Sequence, residues 1–352
     1  MNGFWKGRRV LVTGHTGFKG SWLSLWLGSM GAQVCGLALA PDGDPNLFDM
    51  MDLSNGLDHG LCDIRDANAV ARRVAETEPE FVFHLAAQSL VLRSYEAPAE
   101  TWETNVAGTL HLLDALRNAG KPATVIVVTT DKVYENREWE HPYRETDRLG
   151  GHDMYSSSKA AAELLVQSWR SSFASEGLLR LATARAGNVI GGGDYAANRI
   201  VPDIVRSLGA GKSIEVRSPR SVRPWQHVLE PLAGYLRLAE ELHADISHAR
   251  AYNFGPAAGD FRTVEDLVAE ALGVWPGATA QDWVDVSAGG SRPHEAGLLA
   301  VASDLARQKL DWQPRWNFET AIKRTIGWYS AVHDGQSPRE VSLRQIADYE
   351  AA

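Results

Sequence analysis

Cysteine is nearly absent from this chain of 352 residues: there are two, Cys35 and Cys62. Two thiols exclude a disulfide framework and leave too few ligands for a Cys-based zinc site. Both sit among apolar or small residues, so buried structural thiols in a reducing, cytoplasmic setting are expected. A basic excess is missing too. Lys and Arg number 35 against 44 Asp and Glu, a net charge of −9. Nucleic acid and anionic membrane surfaces need a basic footprint, so neither is expected as the main partner. Residues 1–9 run straight into a strand with no cleavage-type segment, which argues against a signal peptide. One uncharged stretch, residues 21–40, has the ~20-residue length of a membrane span. Gly28, Gly31, Gln33 and Gly36 interrupt it, so it reads as a helix followed by a buried strand. The 11 histidines form no His-x-x-x-His pair or carboxylate cluster at ligand spacing, so no catalytic metal is expected.

What is present is ordinary globular material. Hydrophobic residues make up 44% of the chain, enough for a full core. Short apolar runs at 9–13, 33–39, 60–64, 81–87 and 124–129 read as strands, and helical spacing covers 21–29, 67–78 and 106–118. Non-alternating strands separated by helices indicate a parallel sheet covered on both faces: an α/β, Rossmann-type doubly wound fold. After Arg185 the texture turns Gly-rich and irregular. Residues 1–187, with part of 225–256 returning, are expected to form the dinucleotide-binding part, and 188–352 a smaller, irregular substrate domain.

The first strand ends in Thr13-Gly14-His15-Thr16-Gly17-Phe18-Lys19-Gly20, which opens the first helix. Glycines there let the backbone approach a pyrophosphate, and the helix N-terminus offers N–H groups and partial positive charge. The ribose-binding acid expected ~20 positions on is missing. The second strand ends Leu39-Ala40-Pro41-Asp42, so this rule leaves NAD and NADP both open. His15 and Lys19 are candidates for the adenosine end. Asp63 is a candidate for the adenine amino group or, equally, a residue of a helix N-cap region.

Tyr155 and Lys159 stand four apart, on one helical face. A lysine cation favours a phenolate and would bring a tyrosine toward a working pKa. Thr129-Thr130 end the fifth strand, at the edge where such sheets bind ligands.

Together with Asp63-Ile64, His84-Leu85-Ala86-Ala87 and Asn105, these motifs resemble the extended short-chain dehydrogenase/reductase family. More narrowly, residues 13–23, Thr130-Asp131-Lys132-Val133-Tyr134, residues 185–194, 223–228 and 293–296 resemble the CDP-glucose 4,6-dehydratases. The likeness runs from about residue 8 to residue 330. It implies NAD as cofactor and CDP-glucose as substrate. The 4-hydroxyl is oxidised, water is eliminated across C5 and C6, and hydride returns to C6. Tyr155 would be the base, Thr130 would polarise the sugar oxygen and Lys159 would hold the ribose. Asp131 would be the acid for the 6-hydroxyl and Lys132 the candidate base at C5, where related dehydratases often carry Glu.

The cofactor contacts implied are Gly14, His15, Thr16, Gly17, Phe18, Lys19, Gly20, Asp63, Ile64, Leu85, Ala86, Ala87, Asn105, Thr129, Tyr155 and Lys159. The substrate contacts implied are Gln88, Ser89, Asn188, Arg199, Arg223, Arg292 and His294. Helices near 105–117 and 159–173 resemble those that pair homodimers in the family. A nucleotide-sugar epimerase or decarboxylase on the same fold, and a non-catalytic dinucleotide sensor, stay open as alternatives.

Overall fold

A computed structural model describes residues 3–288 and 297–352; the expectations for Arg292 and His294 lie outside them. The N-terminal half alternates strand and helix: β1 (Arg9–Thr13), α1 (Phe18–Ser29), β2 (Gln33–Ala38), β3 (Asp58–Leu61), α2 (Ala67–Thr77), β4 (Phe81–His84), α3 (Gly108–Asn118), β5 (Ala123–Val128) and α4 (Met154–Phe173). β6 (Leu179–Ala186), α5 (Leu229–Ala244) and β7 (Ala251–Phe254) follow. The strands form one seven-stranded sheet in the order β7-β6-β5-β4-β1-β2-β3. Every pairing is parallel.

The strands lack polar alternation because both faces are covered. Val10, Val12, Phe81, Phe83 and Ile126 face one core, and Leu11, Val82, Val125 and Val127 face the other. Strand order reverses between β1 and β4, and this crevice at the carboxyl edge is where such sheets bind ligands. Thr13 is in register with both Leu37 and His84, so the strand ends form one rim.

Some boundaries differ from the sequence reading. The third strand is Asp58–Leu61, earlier than expected, because it ends where its partner β2 ends, with Ala38 opposite Leu61. Helix α2 is capped by Asp66, whose side chain accepts from the Ala69 N–H, so Asp63 is not the cap. Cys35 and Cys62 are half-buried rather than buried: Cys35 lies in β2, next to the edge strand, and Cys62 just beyond the edge strand β3.

The later residues add β7 to the sheet edge and pack α5 on the sheet. Helices α6 (Phe318–His333) and α7 (Pro338–Ala351) complete the first core with Trp328 and Tyr349. Helix α7, from a stretch without a motif, reaches back to α1, where the Trp26 indole N–H donates to Glu350 at 2.9 Å. No helix of the described residues is long and apolar enough to cross a membrane.

Candidate active site

The turn after β1 is built for close approach. Gly14 has φ +73°, and a Cβ there would come within 2.8 Å of the Ala86 nitrogen. At Gly20 a Cβ would come within 2.1 Å of the Gly14 carbonyl oxygen. Helix α1 begins at Phe18 with Gly17 as a cap that makes no side-chain hydrogen bond, and its first turn holds no acid. Its N–H groups and partial positive charge therefore face the crevice unneutralised, as a bound pyrophosphate requires. These features fit a dinucleotide. The Thr16 hydroxyl donates to the Leu39 carbonyl, tying the turn to the tip of β2. The Thr13 hydroxyl accepts from the Leu85 and Ala86 amides at 3.1 Å and pairs with His84, so the β1 and β4 rims are joined. Ala87 lies half-buried on that rim.

Several expected contacts are turned elsewhere. His15 is fully buried, with its ring packed on Gly36 and its Nε2 2.7 Å from His59 Nδ1. Burial, then the neighbouring His59, lowers its pKa to about 4. The adenosine end therefore does not meet an exposed imidazole. Lys19, expected beside it, instead lies near Lys159, Arg199 and Asp131, and its ammonium is 5.9 Å from the centre of the Tyr235 ring. Burial lowers the Lys19 pKa to about 8, with the Arg199 and Lys159 cations adding to the shift. The Ile64 side chain belongs to the second core and fits against Gly108. The Asp63 carboxylate is engaged by Arg65 at 2.6 Å, which lowers its pKa.

Asn105 and Gln88 are spent inside the protein. Asn105 accepts from the Gln88 N–H at 2.9 Å and donates to the Gln88 carbonyl and to Ser158. The Gln88 side chain closes its own turn on Leu90 and donates to Thr101, so it does not present an amide to a substrate. Asn105 thus fastens the loop after β4 to α4. The Thr129 hydroxyl points to the far side of the strand end, donating to Glu163 at 2.5 Å, and is not in the crevice.

Thr130, Asp131, Tyr155 and Lys159 do come together. The Asp153 cap starts α4, accepting from the Ser156 N–H at 2.9 Å, and this places Tyr155 in its first turn. The Tyr155 phenol lies beside Thr130, which opposes the rise of its pKa. Lys159, one turn on, donates to the Val128 carbonyl at 3.0 Å.

The expected effect of Lys159 on Tyr155 is not the leading one. Burial raises the Tyr155 pKa to about 12, with Asp131 and Asp153 adding to it, while Thr130 and Arg199 oppose. The reason is geometric: the Lys159 ammonium is held at a strand carbonyl and is itself desolvated, with its pKa lowered to about 8. Asp131 is buried; its Oδ1 accepts from Thr130 at 3.0 Å and its Oδ2 has no hydrogen-bond partner among the described residues. Burial raises its pKa against the pull of Lys132, Thr130, Arg223 and Lys19, so it holds a proton more tightly than a free carboxyl does. Lys132 is half-buried beside it, and its backbone N–H donates to Thr130 at 3.3 Å.

Across the crevice, Arg199 pairs with Asp194 at 2.8 Å and donates to Ser89 at 3.4 Å. Buried Arg223 donates to the Val222 and Gly297 carbonyls and acts on Asp131. Asn188 is half-buried, and its carbonyl accepts from the Gln226 N–H. Phe18 lies near Gly191.

The family profile described as GDP-mannose 4,6 dehydratase matches residues 11–325. The chain belongs to this family. A CDP-glucose 4,6-dehydratase of Salmonella typhimurium is 45% identical over 355 residues, covering 99% of this chain and 98% of that one. A dTDP-glucose 4,6-dehydratase of Shigella flexneri is 28% identical, covering 92% of this chain and 93% of that one. Among solved structures, a NAD-bound dTDP-glucose 4,6-dehydratase mutant from Streptomyces venezuelae superposes with a TM-score of 0.79 at 24% identity, over 94% of this chain and 99% of that one. The family assignment agrees with the expected short-chain dehydrogenase resemblance and the doubly wound sheet. Sequence reading missed one feature of the site: Glu163, which sits one turn beyond Lys159. The signal was there, since a Tyr-x-x-x-Lys-x-x-x-Glu spacing puts all three on one helical face.

Proposed function

We propose that this chain is a NAD-dependent dehydratase converting CDP-D-glucose to CDP-4-dehydro-6-deoxy-D-glucose. The observation that carries the reading is the buried, raised-pKa Asp131 hydrogen-bonded to Thr130 at 3.0 Å, beside Tyr155. A simple 4-epimerase needs no such acid; a dehydratase needs one to protonate the departing 6-hydroxyl. The 45% identity to the Salmonella CDP-glucose enzyme supports the choice of nucleotide sugar.

Bound NAD⁺ supplies a hydride acceptor and a positive charge. The N-terminus of α1 with Gly14, Gly17 and Gly20 would hold its pyrophosphate, and Lys159 its ribose. The positive charges of NAD⁺ and Lys159 would favour the Tyr155 phenolate in the bound complex, and that phenolate takes the 4-hydroxyl proton while Thr130 hydrogen-bonds the same oxygen. The 4-keto group acidifies C5–H, Lys132 as the neutral amine removes that proton, and Asp131 gives its own to the leaving hydroxyl; C6 then regains the hydride and C5 a proton, which completes the 4-dehydro-6-deoxy sugar. Lys19, Asn188, Arg199 and Arg223 offer the charge and hydrogen bonds that a nucleotide diphosphate needs.

We also propose a homodimer in a reducing cytoplasm. Trp102, Leu110 and Leu164 are large apolar side chains exposed on neighbouring helices, which supports a second copy as their cover. Sedimentation at micromolar concentration reads this, and a monomer refutes it.

The deciding experiment incubates the protein with CDP-glucose in deuterated water. Loss of one water with deuterium at C5 is expected. An isomer of unchanged mass would indicate an epimerase, and no turnover of any nucleotide sugar a sensor.

A further inference from the structure

Behind the Tyr155–Lys159 face lies a buried ion pair that the chemistry above does not use. Glu163 and Arg185 are both nearly inaccessible, and Arg185 Nη2 meets Glu163 Oε2 at 2.8 Å while its Nε meets Oε1 at 3.0 Å. The carboxylate has two more partners. Thr129 donates to Oε1 at 2.5 Å from the end of β5, and Thr183 donates to Oε2 at 2.8 Å from β6. Four hydrogen bonds from two strands and one guanidinium therefore converge on one helical residue.

The other side of Arg185 completes a bracket. Its Nη1 donates to the Tyr134 hydroxyl at 2.8 Å, and that hydroxyl donates to Asn253 at 2.7 Å. The segment carrying Thr130, Asp131 and Lys132 is thus tethered at both ends, by Thr129 before it and Tyr134 after it, to one ion pair. Glu163 also lies four residues beyond Lys159, on the same face of the same helix.

We propose that Glu163 is a positioning residue for the Thr130–Lys159 centre: it fixes the 130–132 segment against α4 and keeps Lys159 in its ammonium form for the cofactor ribose. This rests on the reading of Lys159 as a cofactor ligand. The charge argument follows from what faces Lys159. From α1 comes the Lys19 ammonium, and from β4 comes His84, neutral because Thr13 and Thr109 hold it in a desolvated position that lowers its pKa to about 3. Tyr155 lies on its own helix, with its pKa raised by burial. Asp131, in the turn after β5, has its pKa raised by burial. Glu163, held ionised by Arg185, is the anion that opposes the desolvation of Lys159.

The test is the pH dependence of NAD⁺ affinity, read by calorimetry without turnover. In the wild type, affinity falls as Lys159 loses its proton. In Glu163→Gln the midpoint of that fall moves down by about one pH unit, so at pH 9 the dissociation constant rises ~10-fold over the wild type. Glu163→Asp keeps the charge and keeps the wild-type midpoint. Lys19 titrates in the same window in all three proteins, so the difference between them isolates Lys159.

Superimposable curves for the wild type and a folded Glu163→Gln would overturn the proposal. Should that variant fail to fold, Glu163→Leu with Arg185→Met removes both charges and leaves none unpaired; the same downward shift is expected, and its absence overturns the charge argument. Thr129→Val tests the tether: ~10-fold lower kcat on CDP-glucose with the midpoint unmoved is expected, and unchanged kcat refutes it. A chain that shows the pH shift but does not dehydrate CDP-glucose would remove the substrate reading and leave this one standing.

Discussion

Thr129 and Thr130 are chain neighbours that serve opposite sides of one strand end. Thr129 donates to Glu163 in the protein interior at 2.5 Å, and Thr130 donates to Asp131 at 3.0 Å and lies beside Tyr155 in the crevice. The alternation of a strand makes this division unavoidable. The inward threonine ties the backbone to Glu163, and the outward one faces the crevice.

Tyr155→Phe removes one oxygen and keeps the ring. Turnover should fall by about 10³-fold, the range of a positioned acid–base group, with the melting temperature changed by no more than ~2 °C. Steady-state kinetics beside a thermal scan checks both, and near-normal turnover would take Tyr155 out of the mechanism.

Lys132→Met addresses the C5 proton alone. Deuterium incorporation at C5 should be lost while NADH absorbance still builds up from oxidation at C4. Undiminished exchange into C5 would acquit Lys132 as the base and point to another group in the pocket.

Gly20→Ala adds a single methyl group where the Gly14 carbonyl stands 2.1 Å away. Backbone has to shift, at a cost of ~1–3 kcal/mol, and the anion cradle shifts with it. Urea unfolding and NAD⁺ titration should both register the change. Wild-type values in both would mean that the turn is more pliable than its packing implies.

Acid should unfold the protein through its histidines. Burial lowers the pKa of His15 to about 4 and of His84 and His227 to about 3. Unfolded, each titrates near 6.5. Below that pH the unfolded chain binds more protons, so this stability is full above pH 6.5 and is lost as pH falls toward 3–4. Each histidine adds a slope of ~1.4 kcal/mol per pH unit. Urea midpoints at pH 7, 6 and 5 should drop progressively, and His227→Asn should remove about a third of the slope. A flat profile over that range would contradict the burial of neutral rings.

The sheet and the Gly-rich turn were legible because their signals are local: apolar runs, glycine spacing and a helix start. The meeting of Thr130 with Tyr155 was legible through motif likeness. What local pattern could not show was direction. Lys19 sits in the Gly-rich turn yet reaches toward Lys159 and Asp131, because its place in the first turn of α1 sends the side chain along the crevice. Gln88 and Asn105 look like polar ligands in sequence, but the loop after β4 has backbone groups to satisfy, and their amides are consumed there. The third strand was placed too late because its end is set by pairing with β2, which composition does not reveal.

The contact between Trp26 and Glu350 spans 324 positions of chain. The helix whose N-terminus is offered to the cofactor therefore keeps part of its apolar face open until that distant segment has been synthesised and has docked. Contacts of such separation form late and slowly. Competence for the dinucleotide is thus a property of a chain synthesised through α7, and a nascent N-terminal half, for all its glycine-rich turn, would present a sticky tryptophan face before it could present a finished nucleotide site.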